Sequence, residues 1–242
     1  MDVFLGSFIS AFATGLGAIP ILYFNHLPHR VRDILIALTA GIMVAASTFS
    51  LLPEALQSSN IWVVSIGVLI GTLLMFFLEW AIPHVDLERG PSSLQIDPKA
   101  LFIIAAITLH NVPEGLSVGV SYAGDNGSSL GVLVSIAIGL QNMPEGFLVA
   151  LYLVNQNISR WKALGLATMT GAIELIAALG GYFLTNWFDQ LVPYGLSFAA
   201  GAMLYIVYKE LIPESHGHGY ERPATFAFIM GLLLMIFLTK SI

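Results

Sequence analysis

His110-Asn111-Val112-Pro113-Glu114-Gly115 and Gln141-Asn142-Met143-Pro144-Glu145-Gly146 are two near-identical hexapeptides, each set inside a hydrophobic segment. Each places an imidazole or amide one helical turn from a carboxylate, with a helix-disturbing proline between them. A charged side chain at the centre of a bilayer costs roughly 2.5 to 3.5 kcal/mol even on insertion scales. A chain that meets this cost twice, with the same pattern, handles a charged cargo there, and a divalent metal ion suits the donors.

The composition places the chain in a membrane. Hydrophobic residues make up 57% and charged residues only 10%, against roughly 25% charged in soluble domains. The net charge of −6 and the lack of a basic cluster argue against nucleic acid as a partner. With no cysteine there are no disulfides and no thiolate metal sites. The Met1-Asp2-Val3 start lacks the positive region of a cleaved signal peptide, so the apolar stretch after it reads as a first transmembrane helix.

Reading for about 20 apolar residues per crossing gives an all-α polytopic membrane protein of eight spans. They run about Val3–Phe24, Asp33–Pro53, Ile61–Ile82, Lys99–Tyr122, Ser129–Val154, Trp161–Asn186, Pro193–Pro213 and Pro223–Lys240. Connections are short, and only Pro83–Pro98 has a soluble composition, so residues 1–242 are expected to form a single transmembrane transporter domain. With the amino terminus outside, the inner loops hold Arg30, Arg32, Arg89, Lys99, Arg160, Lys162, Lys209 and Arg222, leaving only Lys240 outside. The positive-inside rule therefore puts both termini outside.

Short internal matches suggest how the spans are arranged. Leu51–Glu54 (Leu-Leu-Pro-Glu) closes the second span and Leu211–Glu214 (Leu-Ile-Pro-Glu) closes the seventh, at opposite ends of the membrane. With the paired hexapeptides on spans four and five, this suits a 3+2+3 arrangement with an inverted repeat.

His110 and Glu114 are four residues apart, and Asn111 and Glu114 three, so all share one helix face; Gln141, Asn142 and Glu145 repeat the pattern. Pro113 removes the donor for the Leu109 carbonyl, and Pro144 the donor for Leu140. Imidazole, carboxylate, amide oxygen and freed carbonyls form a ligand set for borderline-to-hard dications such as zinc, iron(II), manganese or cadmium. His110, Gln141 and Glu174 lie near mid-span, and Met43 is similarly deep with a soft thioether. Glu114, Glu145 and Glu174 have no Lys or Arg at comparable depth, so a dication is the natural neutralising partner.

On HNVPEG, QNMPEG, the sixth-span glutamate and the Lys-Glu-Leu-Ile-Pro-Glu run that closes span seven, the chain resembles the ZIP (Zrt/Irt-like protein) family of divalent metal transporters. The resemblance covers essentially the whole chain. It implies metal movement toward the cytoplasm through adjacent intramembrane sites that make a binuclear centre, with zinc foremost and iron, manganese, cadmium or cobalt as further cargoes. It assigns His110, Glu114, Gln141 and Glu145 to one site and Asn111, Asn142, Glu145 and Glu174 to the other. It also implies Met43 as a path-lining ligand, Asp33 on the route and Glu210 as an inner ligand. Many relatives carry His at the positions of Gln141 and Lys209, so this chain departs from the pattern at both.

Other readings compete at single positions. Glu174 could serve a helix–helix hydrogen bond, Met43 could be core filler, and Glu210 could pair locally with Lys209. Glu54 and Glu79 stand near span ends, as interface anchors or as part of an access route. His26, His29, His216 and His218 in the inner loops could collect metal, and His84 has no argued role. A membrane-embedded metal-dependent hydrolase or a metal-sensing membrane protein are the rival functions. The chain lacks the H-E-x-x-H motif of zinc proteases and any loop long enough to signal, so no enzyme is expected. The expected setting is the plasma membrane, as a multi-pass protein in the lipid bilayer, with a homodimer possible.

Overall fold

The computed structural model describes residues 2–24, 26–81, 98–123 and 127–241. Eight long helical segments account for nearly all of them, and no strand occurs among the described residues. Helix α1 is Val3–Ala18, continued by a 3-10 turn to Leu22. It is followed by α2 (His29–Gln57), α3 (Ile61–Ala81), α4 (Pro98–Ser121), α5 (Gly127–Asn155), α6 (Arg160–Trp187), α7 (Asp189–Ser215) and α8 (Glu221–Ser241). Seven of these are long and apolar enough to cross a membrane among the described residues. The other, α4, has 24 residues, about 36 Å at 1.5 Å per residue, ample for a core of about 30 Å. The expected all-α polytopic architecture is what folds. The expected loop at 83–98, with His84 and Arg89, lies outside the described residues except for Pro98, which opens α4.

The helices start and stop a few residues away from the apolar runs. Helix α2 begins four residues before Asp33 and continues past Pro53, because charged and polar side chains at its ends are tolerated outside the hydrocarbon. The Asp2 carboxylate caps α1 by accepting from the Leu5 amide at 2.8 Å. Helices α4 and α5 continue through Pro113 and Pro144 without a break.

Two local features are not visible in the hydropathy pattern. Ser47–Leu51 in α2 and Val207–Leu211 in α7 are each a π-helical turn. Pro53 cannot donate to the Phe49 carbonyl, nor Pro213 to that of Lys209. Each helix widens just before its proline, and the closing bonds run from Leu52 N–H to Ser47 O and from Ile212 N–H to Val207 O.

These turns are part of a longer correspondence. Met43 matches Met203, Gly41 matches Gly201, Gly71 matches Gly231, and Leu51–Glu54 matches Leu211–Glu214, every pair separated by the same number of residues. The packing follows suit. Helix α1 packs on α5 as α6 packs on α4, α2 on α8 as α7 on α3, and α2 on α5 as α7 on α4. Exchanging α1–α3 with α6–α8 and α4 with α5 therefore preserves the neighbour relations. Because successive spans alternate in direction, the two halves run oppositely.

Backbones meet where side chains are smallest. A Cβ on Gly41 would strike the Phe228 carbonyl, and one on Gly231 that of Leu38, which locks α2 to α8. Gly71 and Gly201 do the same between α3 and α7, against the carbonyls of Phe198 and Val68. Helices α3 and α8 lie at the periphery, with only 22% of each apolar window buried against 67% for α2. Their outward Leu, Ile and Phe side chains form the lipid face. All four tryptophans are exposed. Trp62 and Trp80 bracket α3 about 27 Å apart along its axis, the spacing of an aromatic belt at the two interfaces.

Candidate functional site

The hexapeptides are held by the same close approach on both sides. Gly115 of α4 faces the carbonyl of Glu174 on α6, and Gly146 of α5 faces the carbonyl of Thr14 on α1. No side chain fits at either glycine. The result is a crossing of α1, α4, α5 and α6 in which Asn111, Glu114, Gln141, Asn142 and Glu174 are all buried to 1% exposure or less.

One pair from each expected grouping is joined at this crossing, Gln141 with Glu114 and Asn142 with Glu174, whereas His110 lies against Glu210 and the Asn111 side chain has no hydrogen-bond partner. Gln141 Nε2 donates to Glu114 Oε1 at 2.5 Å, joining the first residues of one set. Asn142 Nδ2 donates to Glu174 Oε2 at 2.6 Å and to the Ser10 carbonyl at 3.2 Å. The Ser10 hydroxyl donates to Glu174 Oε1. Glu145, less deeply buried, lies within electrostatic reach of Glu114, Glu174, His110 and Glu210.

The amide nitrogens of Gln141 and Asn142 are thus occupied while several oxygens are not. Glu114 Oε2, Gln141 Oε1, Asn142 Oδ1 and Asn111 Oδ1 are buried and have no hydrogen-bond partner, nor has Asn111 Nδ2. Buried acceptors left without a donor are rare and costly. Among the described residues no three His, Asp or Glu side chains stand together as a ready-made metal cage. The donor set is a mixture of carboxylate, imidazole and amide.

His110 turns from Glu114 toward α7, where its Nε2 lies 3.3 Å from Glu210 Oε1. The local Lys209–Glu210 pairing weighed from the sequence does not form; Lys209 Nζ lies 2.6 Å from Glu79 Oε1 on α3 instead. Glu79 is therefore an anchor between α3 and α7. Met43 is buried in the main core cluster, on the α2 face that packs inward. Asp33 is fully buried and its Oδ1 lies 3.0 Å from His218 Nδ1, while its Oδ2 has no partner. His29 stacks on His218 with ring centroids 4.3 Å apart, and Arg32 pairs with Glu214. These contacts tie the start of α2 to the end of α7 and the segment that follows it. His216 is exposed and turns back onto its own helix, its Nδ1 lying 2.9 Å from the Ile212 carbonyl. His26 is exposed.

Sequence reading missed Ser10. Its signal is a run of small and hydroxyl residues, Ser7, Ser10, Ala11 and Thr14, on one face of an otherwise bulky apolar helix. All four are buried, where a lipid-facing helix would carry Leu or Phe.

The all-helical membrane architecture agrees with what comparison with known proteins finds. The profile of the ZIP zinc transporter family matches residues 83–239. The chain is 37% identical over 249 residues to the zinc transporter GufA of Myxococcus xanthus, covering 98% of both proteins. The chain belongs to the ZIP zinc transporter family. It is 35% identical to the zinc transporter ZIPB of Bordetella bronchiseptica, over 98% of this chain and 80% of that protein. It is 26% identical to the zinc transporter ZIP11 of Homo sapiens, over 96% and 94%. This ZIP protein is therefore a multi-pass membrane transporter and not an enzyme.

Proposed function

We propose that this ZIP protein carries divalent metal ions, zinc before iron(II), manganese, cadmium or cobalt, through the crossing of α1, α4, α5 and α6. The observation that carries the reading is the set of buried acceptors without donors: Glu114 Oε2, Gln141 Oε1, Asn142 Oδ1 and Asn111 Oδ1. A dication supplies the positive charge these oxygens need and has no lone pair to conflict with them. The mixed donors suit a borderline cation, and the zinc transporters to which the chain is similar support zinc as first choice.

The ligands fall into two adjacent groups, His110, Glu114, Gln141 and Glu145 in one and Asn111, Asn142, Glu145 and Glu174 in the other. Glu145 is the shared carboxylate, in keeping with its reach to both sides. The Ser10 hydroxyl and the amides of Gln141 and Asn142 hold the carboxylates in place before the ion arrives. As cargo binds, each amide turns its oxygen toward the metal. Met43 lines the path. Glu210 accepts the ion below the crossing, and Asp33, His216 and His218 lie on the inner route beyond it. Neutral amides in place of imidazole make the site weaker and easier to leave, which conduction requires.

Residues 1–242 form one transport domain with both termini outside, in the plasma membrane, moving metal toward the cytoplasm, and pairing of two copies is compatible with the apolar faces of α3 and α8. The test is zinc flux into proteoliposomes of defined orientation. Flux no greater than in empty liposomes would sink the reading. Orientation is checked by single cysteines in the cysteine-free background. Ser59→Cys and Asn126→Cys should label with an impermeant thiol reagent on intact cells and Ser92→Cys should not. The reverse pattern would invert the access order.

A further inference from the structure

Lys209 and Glu210 are neighbours in the π-helical turn of α7, yet they serve opposite sides of the helix. Glu210 reaches His110 on α4, 3.3 Å away. Lys209 reaches Glu79 on α3, with Nζ 2.6 Å from Oε1. The Tyr205 hydroxyl, one turn earlier on α7, donates to the other oxygen of the same carboxylate. Glu79 therefore has both oxygens engaged by α7. In the other half of the molecule the equivalent place holds no charge: Phe49 stands where Lys209 stands, and Ser50 meets Thr239 at 3.4 Å.

A lysine ammonium is a point charge on a flexible four-carbon stem. Beside Glu210 it is a fixed competitor for the carboxylate that an outgoing dication would use. Released from α3, it could swing to that carboxylate, neutralise it and repel the cation. The Lys209 side chain is 48% exposed and Glu79 17%. A pair this open adds little to stability, so its main consequence is where the ammonium sits.

We propose that Glu79 is a positioning residue that, with Tyr205, parks the Lys209 ammonium against α3 and keeps that charge off the cation route past Glu210. The proposal rests on the transport reading above. It explains how the chain accommodates a lysine beside an inner-route carboxylate.

The test is zinc uptake into proteoliposomes by the wild type, Glu79→Gln, Lys209→Met and two double variants, with equilibrium zinc binding in detergent read in parallel. Glu79→Gln should lower uptake roughly tenfold, the scale of one charge repelling a dication across about 10 Å of partly screened protein. Lys209→Met alone should keep at least wild-type uptake. Glu79→Gln/Lys209→Met should regain it, whereas Glu79→Gln/Lys209→Arg, which keeps the charge, should not. Binding should follow the same order. Wild-type uptake by Glu79→Gln, or a Met double variant as slow as the single, would overturn the role given to Glu79. So would loss of uptake in Lys209→Met alone. If the wild type binds zinc but carries no flux, the transport reading fails, and the order of binding still decides the proposal.

Discussion

Ser47–Leu51 in α2 and Val207–Leu211 in α7 occupy the same place in the two halves of the molecule and adopt the same π-helical turn. Their chemistry is opposite. The first turn is neutral and its Ser50 makes a hydroxyl contact to Thr239 on α8. The second is charged, sending Lys209 to Glu79 and Glu210 to His110. Thr14 and Glu174 differ in the same way. Each lends its carbonyl to the glycine of a hexapeptide, but of these two helices α6 brings a carboxylate to the crossing and α1 brings only hydroxyls. The backbone repeats because close helix packing asks only for small residues at fixed intervals. Some charges repeat, as at Glu54 and Glu214, but those of Glu174, Lys209 and Glu210 do not, and these are what distinguish the two halves of a near-symmetric scaffold.

The largest effect is expected at the crossing, where the two halves meet. Glu145→Ala should abolish metal flux, by a factor of 100 or more on the order of magnitude expected for a shared first ligand, while the protein still inserts and purifies. Glu114→Ala should behave similarly, and Glu174→Ala should be milder if it serves one group only. Uptake assays at matched expression decide, and wild-type flux in Glu145→Ala would end the shared-ligand scheme.

The scaffold can be broken without touching a ligand. Gly115→Val and Gly146→Val each put a side chain onto a neighbouring carbonyl, of Glu174 and Thr14 respectively. Each should cost about 1–3 kcal/mol, and the two should lower the unfolding temperature in detergent to a similar extent, because the two halves share this contact. Gly180→Ala, where nothing lies within 4 Å, should leave stability unchanged or slightly raised. A large difference between Gly115→Val and Gly146→Val would show that the halves are not mechanically equivalent.

Acid sharpens the comparison from the ligand side. Protons compete with metal for the lone pairs of His110 and the glutamates, so zinc binding should weaken as pH falls from neutral toward about 5, before the fold is lost. The sign follows from the binding forms: neutral imidazole and ionised carboxylate hold metal, and protonation removes both. Calorimetric binding at a series of pH values is the measurement. An unchanged affinity would contradict direct coordination.

The smallest effect is expected at Gln141, where α5 departs from α4. Gln141→His restores an imidazole opposite His110. It should tighten zinc binding, by several-fold on the order expected for one nitrogen donor, lower maximal zinc flux and weaken competition by manganese. Parallel uptake and competition series in both proteins test this. No change in either would mean that Gln141 touches Glu114 but not the metal.

Much of this architecture is legible in the amino-acid sequence alone. Apolar runs of about 20 residues can only be helices in a bilayer, since every backbone group must be satisfied within its own segment, and that alone sets the span count. The spacing of His110, Asn111 and Glu114, and of Gln141, Asn142 and Glu145, puts each set on one helix face because helical neighbours recur every three to four residues. Which face meets which helix is not contained in the spacing. Ser10 becomes a partner of Glu174 and Asn142 only because small residues let α1 approach α5 and α6 closely. His110 finds Glu210, and Lys209 is drawn from that same glutamate to Glu79, only through the packing of α7 between α4 and α3. Local periodicity specifies an element and its polar face; partners separated by more than a hundred residues are chosen by how backbones cross, and that is decided by the shape of the whole assembly.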